Sequence, residues 1–378
     1  MKIAHIVPSY KPAYTYGGTI SSISKLCESL VSNGLDITVL TTTANGKEEL
    51  NVEPGTKQIV DGVAVIYFKR ITGDHTHLSP RLWTYLWKHA NEFDIIHIHS
   101  WWNLLVMVSA MIARIKGIKL IISPRGMLSN YIRSARHSFI KTVLHALIGK
   151  RLLKGSLFHA TSESEFRECR QIINGWNGFM LPNLLSLPKM ELVKPANQKF
   201  TLIFLSRIDP KKGLELLFKA IAEFKLDLIL RIAGSGNQKY IAELKHLAEE
   251  LNMAECIQWL GWLGPIEKFK ELMNADAMIL PSHNENFANV VIESLYVGTP
   301  VIISEQVGLS SFVKQKNLGW VVNRNTVEIA QAIKNAITLS QQYPQDQKQP
   351  EKVQNEILKT FSEKLIIEKY IKNYSLIA

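Results

Sequence analysis

The sequence alternates short apolar runs with helix-length amphipathic stretches, breaks once, and then alternates again. In the first half, Lys2–Val7, Asp36–Thr42, Val63–Phe68, Asp94–Ile98, Lys119–Ser123, Leu157–Ala160 and Gly178–Leu181 read as strands. Thr19–Asn33, Leu82–Asn91 and Leu104–Ile115 read as helices, with Gly34 and Gly117 as stops. Pro188 and Pro195 then flank an unperiodic polar stretch, Leu187–Lys199, which reads as a linker. Beyond it, Thr201–Leu205, Asp227–Ala233, Ile257–Leu260, Ala277–Pro281 and Pro300–Ser304 read as strands, and Gly213–Glu223, Lys239–Leu251, Pro265–Met273 and Asn289–Gly298 as helices. Apolar strands separated by helices predict parallel sheets covered on both faces. A chain of 378 residues is long for one core. The expected fold class is therefore α/β, with two Rossmann-like domains at 1–188 and 189–360 and a last helix, 361–378, packing back on the first. Such a pair places a ligand cleft between the sheets, outside the carboxyl ends of the strands.

Charge separates the halves. The net charge is +11, and residues 1–190 hold 22 Lys or Arg against 12 Asp or Glu, whereas residues 191–378 hold 22 against 21. A one-sided basic field calls for an anionic partner such as a membrane surface, a lipid phosphate or nucleic acid. Three scattered cysteines, Cys27, Cys169 and Cys256, suggest a reducing compartment. No apolar run approaches the roughly 20 residues that span a bilayer, and the N-terminal run is too short for a secretory signal. The expected location is cytoplasmic, with peripheral association on the inner face of the membrane. In support, Arg133 to Lys154 carries six cations among apolar residues at helical spacing, which fits either a core-facing helix or an interfacial one.

The richest segment is Ile279 to Gly298. It reads as strand, loop and helix, with Glu285 in the loop and Glu293 one turn beyond Asn289. A loop at a strand's carboxyl end and a helix N-terminus favours phosphate, and a carboxylate at position 293 can accept from vicinal hydroxyls, as an acid does on a nucleotide ribose. Two acids at this spacing also arise by chance; the flanking strands argue against it. Arg207 and Lys212 both follow the strand Thr201–Leu205. They read either as a solvated turn or as a diphosphate clamp, guanidinium bidentate and ammonium as a point charge. No Asp-x-Asp occurs in the chain, so no such pair holds a divalent ion, and these cations are expected to replace it. Gly17-Gly18 lie between the first strand and helix without the G-x-G-x-x-G dinucleotide pattern. His97 and His99 are read as facing opposite sides of their strand, which argues against a shared metal; one is expected to face the cleft. Trp101 and Trp102 fit either a sugar-stacking or a core-covering role.

Taken in order, these motifs resemble the retaining glycosyltransferases of family 4, also called group 1. The resemblance rests on Glu285 to Glu293 as an E-x7-E signature, with Tyr16-Gly17-Gly18, His97-Ile98-His99, Ser162 to Glu165, Leu181-Pro182-Asn183, Ser206 to Asp209 with Lys211-Lys212-Gly213, Ala233 to Gly236, and Ala275-Asp276-Ala277. It covers essentially the whole chain. It implies the GT-B fold, an acceptor-binding first domain and a nucleotide-sugar-binding second one. It also implies donor contacts from Gly17, Gly18, Arg207, Lys212, Gly234, Asn286, Phe287, Ala288 and Glu293, and a catalytic part for Glu285, Arg207 and Lys212. No cofactor and no metal are expected, only the nucleoside-diphosphate sugar as substrate. Where many members carry a cleft histidine this chain reads Ser123-Pro124-Arg125-Gly126, so Arg125, with His99, is expected at the acceptor or in the cleft. A guanidinium is no general base. The expected partners are a nucleotide sugar, a saccharide or lipid-linked saccharide acceptor of cell-surface polysaccharide or O-antigen synthesis, and an anionic membrane surface, but not nucleic acid. The rival readings are a sugar-nucleotide epimerase of the same architecture and a non-enzymatic basic module binding membrane or nucleic acid.

Overall fold

The computed structural model describes residues 1–74, 76–129, 149–194, 197–342 and 350–378. The chain divides into two compact units, Met1–Ser186 together with Glu363–Ala378, and Leu187–Ser362. The stretch Arg133–Lys154 lies mostly outside the described residues; of it, Lys150–Lys154 is a short helix that buries Leu152 and Leu153.

In the first unit the strands are β1 (Lys2–Ile6), β2 (Asp36–Thr42), the small antiparallel pair β3 (Ala44–Asn45) and β4 (Glu48–Glu49), then β5 (Lys57–Val60), β6 (Val63–Phe68), β7 (Ile95–His99), β8 (Lys119–Ser123), β9 (Leu157–Ala160) and β10 (Gly178–Met180). Eight of them form one sheet in the order β10-β9-β8-β7-β1-β2-β6-β5. Strands β6 and β7 are buried at every position, as expected of strands covered on both faces. The all-parallel expectation fails at one edge, where β5 pairs antiparallel with β6. The cause is local: Asp61 and Gly62 both take positive φ, 49° and 82°, and make the tight two-residue turn whose twist suits a hairpin. The alternating exposure of β5 gives it no apolar run to announce it.

The two faces of this sheet are packed differently. On one, Leu82 and Leu86 from the helix Pro80–His89 and Leu105, Val106, Ala110 and Ala113 from the helix Leu104–Ile115 pack on Ile6, Leu40, Ile96 and Ile98. On the other lie the helix Gly18–Ser32 and the final helix Glu363–Ile377, which touch each other. Ser29 and Lys25 bind the Glu363 carboxylate at 2.6 and 2.8 Å, fixing the start of the last helix. Its Tyr370 and Tyr374 are fully buried, and their hydroxyls hydrogen-bond His159 Nε2 at 2.9 Å and His97 Nδ1 at 2.8 Å.

These tyrosines cover a histidine cluster that corrects the reading of His97 and His99. Both project from the same face of β7, because side chains two apart on a strand point the same way. Their rings lie 4.3 Å apart, and His5 from β1 stacks on His99 at 5.2 Å and bonds it, Nδ1 to Nε2, at 2.9 Å. The ligand nitrogens of His5, His97 and His99 lie within 4.8 Å of one another. The His5 and His99 rings are stacked and those of His97 and His99 tilted. Burial holds His5 and His159 down to about 3, with the Arg125 charge adding to the effect. Burial also holds His97 and His99 well below the ordinary histidine range. All four are therefore neutral in the fold.

The second unit holds β11 (Thr201–Leu205), β12 (Ile229–Ala233), β13 (Ile257–Gly261), β14 (Ala277–Leu280), β15 (Val301–Ser304) and β16 (Gly319–Val322) in one sheet, order β13-β12-β11-β14-β15-β16, parallel throughout. Its centre is apolar: Leu202, Ile203, Phe204, Met278, Ile279 and Ile302 have no exposed surface. In each sheet the strand order reverses beside the first strand, between β1 and β7 and between β11 and β14. Such a reversal leaves two neighbouring loops diverging at the strands' carboxyl ends, which opens a crevice for a ligand.

Two outcomes follow for the first unit. Tyr374→Phe leaves His97 Nδ1 without its hydroxyl and is expected to cost about 1–3 kcal/mol in denaturant unfolding. The histidines give a pH dependence of definite sign. Their folded pKa values lie below the unfolded value of 6.5, so unfolding takes up protons below that pH. Stability is fully present above about pH 6.5 and falls continuously toward pH 3, with a slope of more than one proton. Replacing His159 with Gln should flatten the slope, and an unchanged slope would rule the cluster out as its source.

Candidate active site

The crevice of the second unit is built from the loops after β11 and β14, with the loop after β12 alongside. Leaving β11, the chain stays extended: the Ser206 and Ile208 amides donate to the carbonyls of Ala233 and Ser235 at 3.1 and 2.8 Å. This close approach excludes side chains at two positions. A Cβ on Gly234 would stand 1.8 Å from the Ser206 carbonyl oxygen, and one on Gly236 2.1 Å from that of Ile208. Asp209 then caps the single turn Pro210–Lys212, its Oδ1 accepting from the Lys211 amide at 2.9 Å. The His283 amide, from the loop after β14, donates to the Lys211 carbonyl at 2.8 Å. The backbone thereby ties Arg207, Lys211 and Lys212 to the segment that carries Glu285.

Glu285 is held from the other side by the loop after β15. Its amide donates to Gln306 at 3.0 Å and its carbonyl accepts from Gly308 at 2.8 Å. Its carboxylate forms an ion pair with Lys212; the side chains are 15% and 9% exposed. Arg207 stands exposed at the rim. Burial lowers the Lys211 ammonium pKa below its ordinary value, and neighbouring Lys212 and Arg207 add to this against the pull of Glu285. The charges acting on Lys211 are thus Lys212 and Arg207 on one side and Glu285 and Asp209 on the other.

The rest of the signature segment divides by role. Ala288 takes a left-handed conformation, φ 67°, immediately before the helix Asn289–Tyr296, whose start no side chain caps. A non-glycine residue there is strained by about 1–2 kcal/mol, and such strain collects at ligand sites. Asn286 is half-buried. The Phe287 ring is 3% exposed and packs edge-on against Phe361 at 6.1 Å. It anchors the loop. Glu293 is 7% exposed, and its Oε1 accepts from Lys268 Nζ at 2.5 Å. The sequence reading did not single out Lys268.

In the first unit the corresponding loops carry Gly17, Gly18, His99 and Arg125. Gly17 has φ 70° and ψ −142°, a conformation glycine adopts readily, and the helix begins at Gly18. His99 ends β7 with no exposed surface. Arg125 follows β8 with φ 55°, its Nη2 3.4 Å from His99 Nδ1 and its Nη1 on the Asn183 side-chain oxygen. Arg125 Nε is buried with no hydrogen-bond partner among the described residues. Nearby Glu165, 2% exposed, accepts from the Gly126 and Thr161 amides at 2.7 and 2.8 Å and supplies the opposing charge. Trp101 is buried and covers the core, whereas Trp102 donates its ring N–H to the Met127 carbonyl at 2.6 Å.

Comparison with known proteins bears on both units. Residues 16–174 match the family described as Glycosyltransferase Family 4, and residues 190–356 match that described as Glycosyl transferases group 1. An uncharacterized glycosyltransferase of Methanocaldococcus jannaschii is 25% identical over 369 residues, covering 89% of this chain and 89% of that protein. Sucrose-phosphate synthase from Thermosynechococcus elongatus superposes with a TM-score of 0.77 at 17% identity, covering 100% of this chain and 98% of that one. HepE of Anabaena in complex with UDP-glucose gives 0.74 at 19% identity, covering 99% of each chain. The structural likenesses show the GT-B fold, and the sequence matches run through both sheets and the crevice loops. The chain belongs to the group 1, family 4 glycosyltransferases.

Proposed function

We propose that the enzyme is a retaining, metal-independent glycosyltransferase that moves a sugar from a nucleoside-diphosphate sugar to an acceptor hydroxyl. The observation that carries this is the pairing of cations and carboxylates at the β11–β14 crevice. Lys212 and exposed Arg207 take the diphosphate, the ammonium as a point charge and the guanidinium as a bidentate donor. A diphosphate carries more charge than Glu285, so it displaces that carboxylate from Lys212. Glu285 then turns to accept from the sugar's hydroxyls, and Glu293 accepts from the ribose. Gly234 keeps the backbone low beneath the phosphates, and the amides entering the helix at Asn289, with Asn286, face the same anion. As the glycosidic bond breaks, charge develops on the leaving phosphate, and cations already in place stabilise it most. Retention rests on the family resemblance: the leaving phosphate takes the acceptor proton on the same face, with no enzymic nucleophile. HepE, which shares the fold, holds UDP-glucose in its complex, which supports a nucleotide sugar as donor.

The first unit is the acceptor side of this reading, with Arg125 beside His99 available for an anionic acceptor. From Ile95 to Ser162 the sequence has ten Lys or Arg and no Asp or Glu. The helix Leu104–Ile115 exposes Leu104, Met111 and Ile115 along one face, with exposed Trp87 beneath Lys116 at 4.4 Å. This favours a lipid-linked or cell-surface saccharide met at an anionic membrane surface. Among the described residues no helix is long and apolar enough to cross a membrane.

Incubation with UDP-, GDP- and ADP-sugars tests the donor. One nucleotide should raise the thermal midpoint and its sugar should be hydrolysed slowly or transferred. Glu285→Ala is expected to lower kcat by roughly 10²–10³, and Glu293→Ala to raise the donor KM about tenfold or more. Product NMR should show the donor's anomeric configuration. Turnover by the double variant at the wild-type rate, or an inverted product, would sink the reading.

A further inference from the structure

We infer that Lys268 is a positioning residue for the donor ribose: it locks the Glu293 carboxylate in the orientation that selects ribose over deoxyribose. The inference deepens the donor reading and rests on Glu293 as the ribose acceptor. Lys268 lies on the helix Glu267–Met273, which packs beside the helix Asn289–Tyr296 that carries Glu293. That helix is itself fixed. Phe269 and Leu272 are buried, the Phe269 ring meets Tyr296 edge-on at 6.3 Å, and the Thr299 hydroxyl donates to the Leu272 carbonyl at 2.7 Å.

From this base Lys268 Nζ reaches Glu293 Oε1 at 2.5 Å and lies 4.9 Å from the Phe269 ring centroid. Glu293 is nearly enclosed, and a carboxylate so placed is costly without a charge beside it. Oε1 is committed to Lys268, and Oε2 makes no other hydrogen bond among the described residues. The two vicinal hydroxyls of a ribose need acceptors at a fixed separation, so a carboxylate pinned at one oxygen presents the other in a single orientation. Without Lys268 the carboxylate rotates, and the gain from the 2′-hydroxyl is averaged away.

The test compares wild type, Lys268→Met and Lys268→Arg, with thermal unfolding confirming that each is folded. UDP, GDP and ADP are titrated by calorimetry against their 2′-deoxy counterparts. For the nucleotide that binds best, wild type should lose about tenfold or more in affinity with the 2′-hydroxyl, as a charged hydrogen bond predicts. In Lys268→Met the ribonucleotide should weaken about tenfold while the deoxynucleotide changes little, so the ratio collapses toward one. Lys268→Arg should restore most of the ratio, and in turnover the donor KM should move more than kcat. If Lys268→Met weakens both nucleotides alike and keeps the wild-type ratio, Lys268 does not position Glu293. If wild type itself does not discriminate, the ribose reading of Glu293 fails and takes this inference with it, an outcome visible before any variant is made.

Discussion

Two carboxylates, Glu285 and Glu293, sit largely out of water at the reversal point of the second sheet, and each is neutralised by one lysine, Lys212 and Lys268. A buried carboxylate left alone would be strongly destabilising, and the lysine beside each one offsets that cost. The four residues come from three separate segments of the chain, Glu285 and Glu293 sharing one, and the rest of the unit serves to bring those segments together. Gly234 and Gly236 allow the loops after β11 and β12 to lie against one another, and the Lys211 carbonyl accepts the His283 amide from the loop after β14. The backbone fixes the distance at which the charges meet.

The parallel sheets explain why the ends of these strands matter more than their middles. Within β11 and β14 the side chains are apolar but for Thr201 and buried but for Leu205, and they form the scaffold. At the carboxyl ends the chain departs in opposite directions from adjacent strands, and the polar residues gather there. The first sheet obeys the same rule with different content. Its reversal point between β1 and β7 places neutral histidines beneath Arg125, covered by Tyr370 and Tyr374 from the final helix. Burial strips those histidines of charge, so Arg125 is the fixed cation there, and Glu165 offsets it from inside the unit.

Much of this was legible in the sequence because it is local. Asp36–Thr42, Leu104–Ile115 and Lys119–Ser123 stand at the bounds their apolar patterns predict. Glu285, Glu293, Arg207 and Lys212 could be named because strand, loop and helix follow one another within a few residues. What escaped depends on partners distant in the chain or on small geometric facts. Lys268 precedes Glu293 by 25 residues, and only the packing of two helices brings them together. Strand β5 escaped because its exposure alternates and an Asp-Gly turn reverses it. His97 and His99 were placed on opposite faces although a strand's two-residue period puts them on one. Phe287 sits among polar loop residues, and nothing local shows that its ring turns inward to Phe361.

In the donor reading proposed above, the difference in burial between Arg207 and Lys212 orders what a donor would meet. Arg207 is exposed at the rim, so an approaching diphosphate reaches it without displacing anything. Lys212 is 7% exposed and already paired with Glu285, so a ligand gains its ammonium only by supplying more negative charge than one carboxylate. A neutral sugar lacks that charge, and a monoanion offers no clear advantage over Glu285 itself. A diphosphate exceeds it, and the displaced carboxylate is left beside the sugar that the phosphate carries. On that proposal, recognition of the phosphates and release of Glu285 are the same event, which would tie the sugar contact to the presence of the correct leaving group.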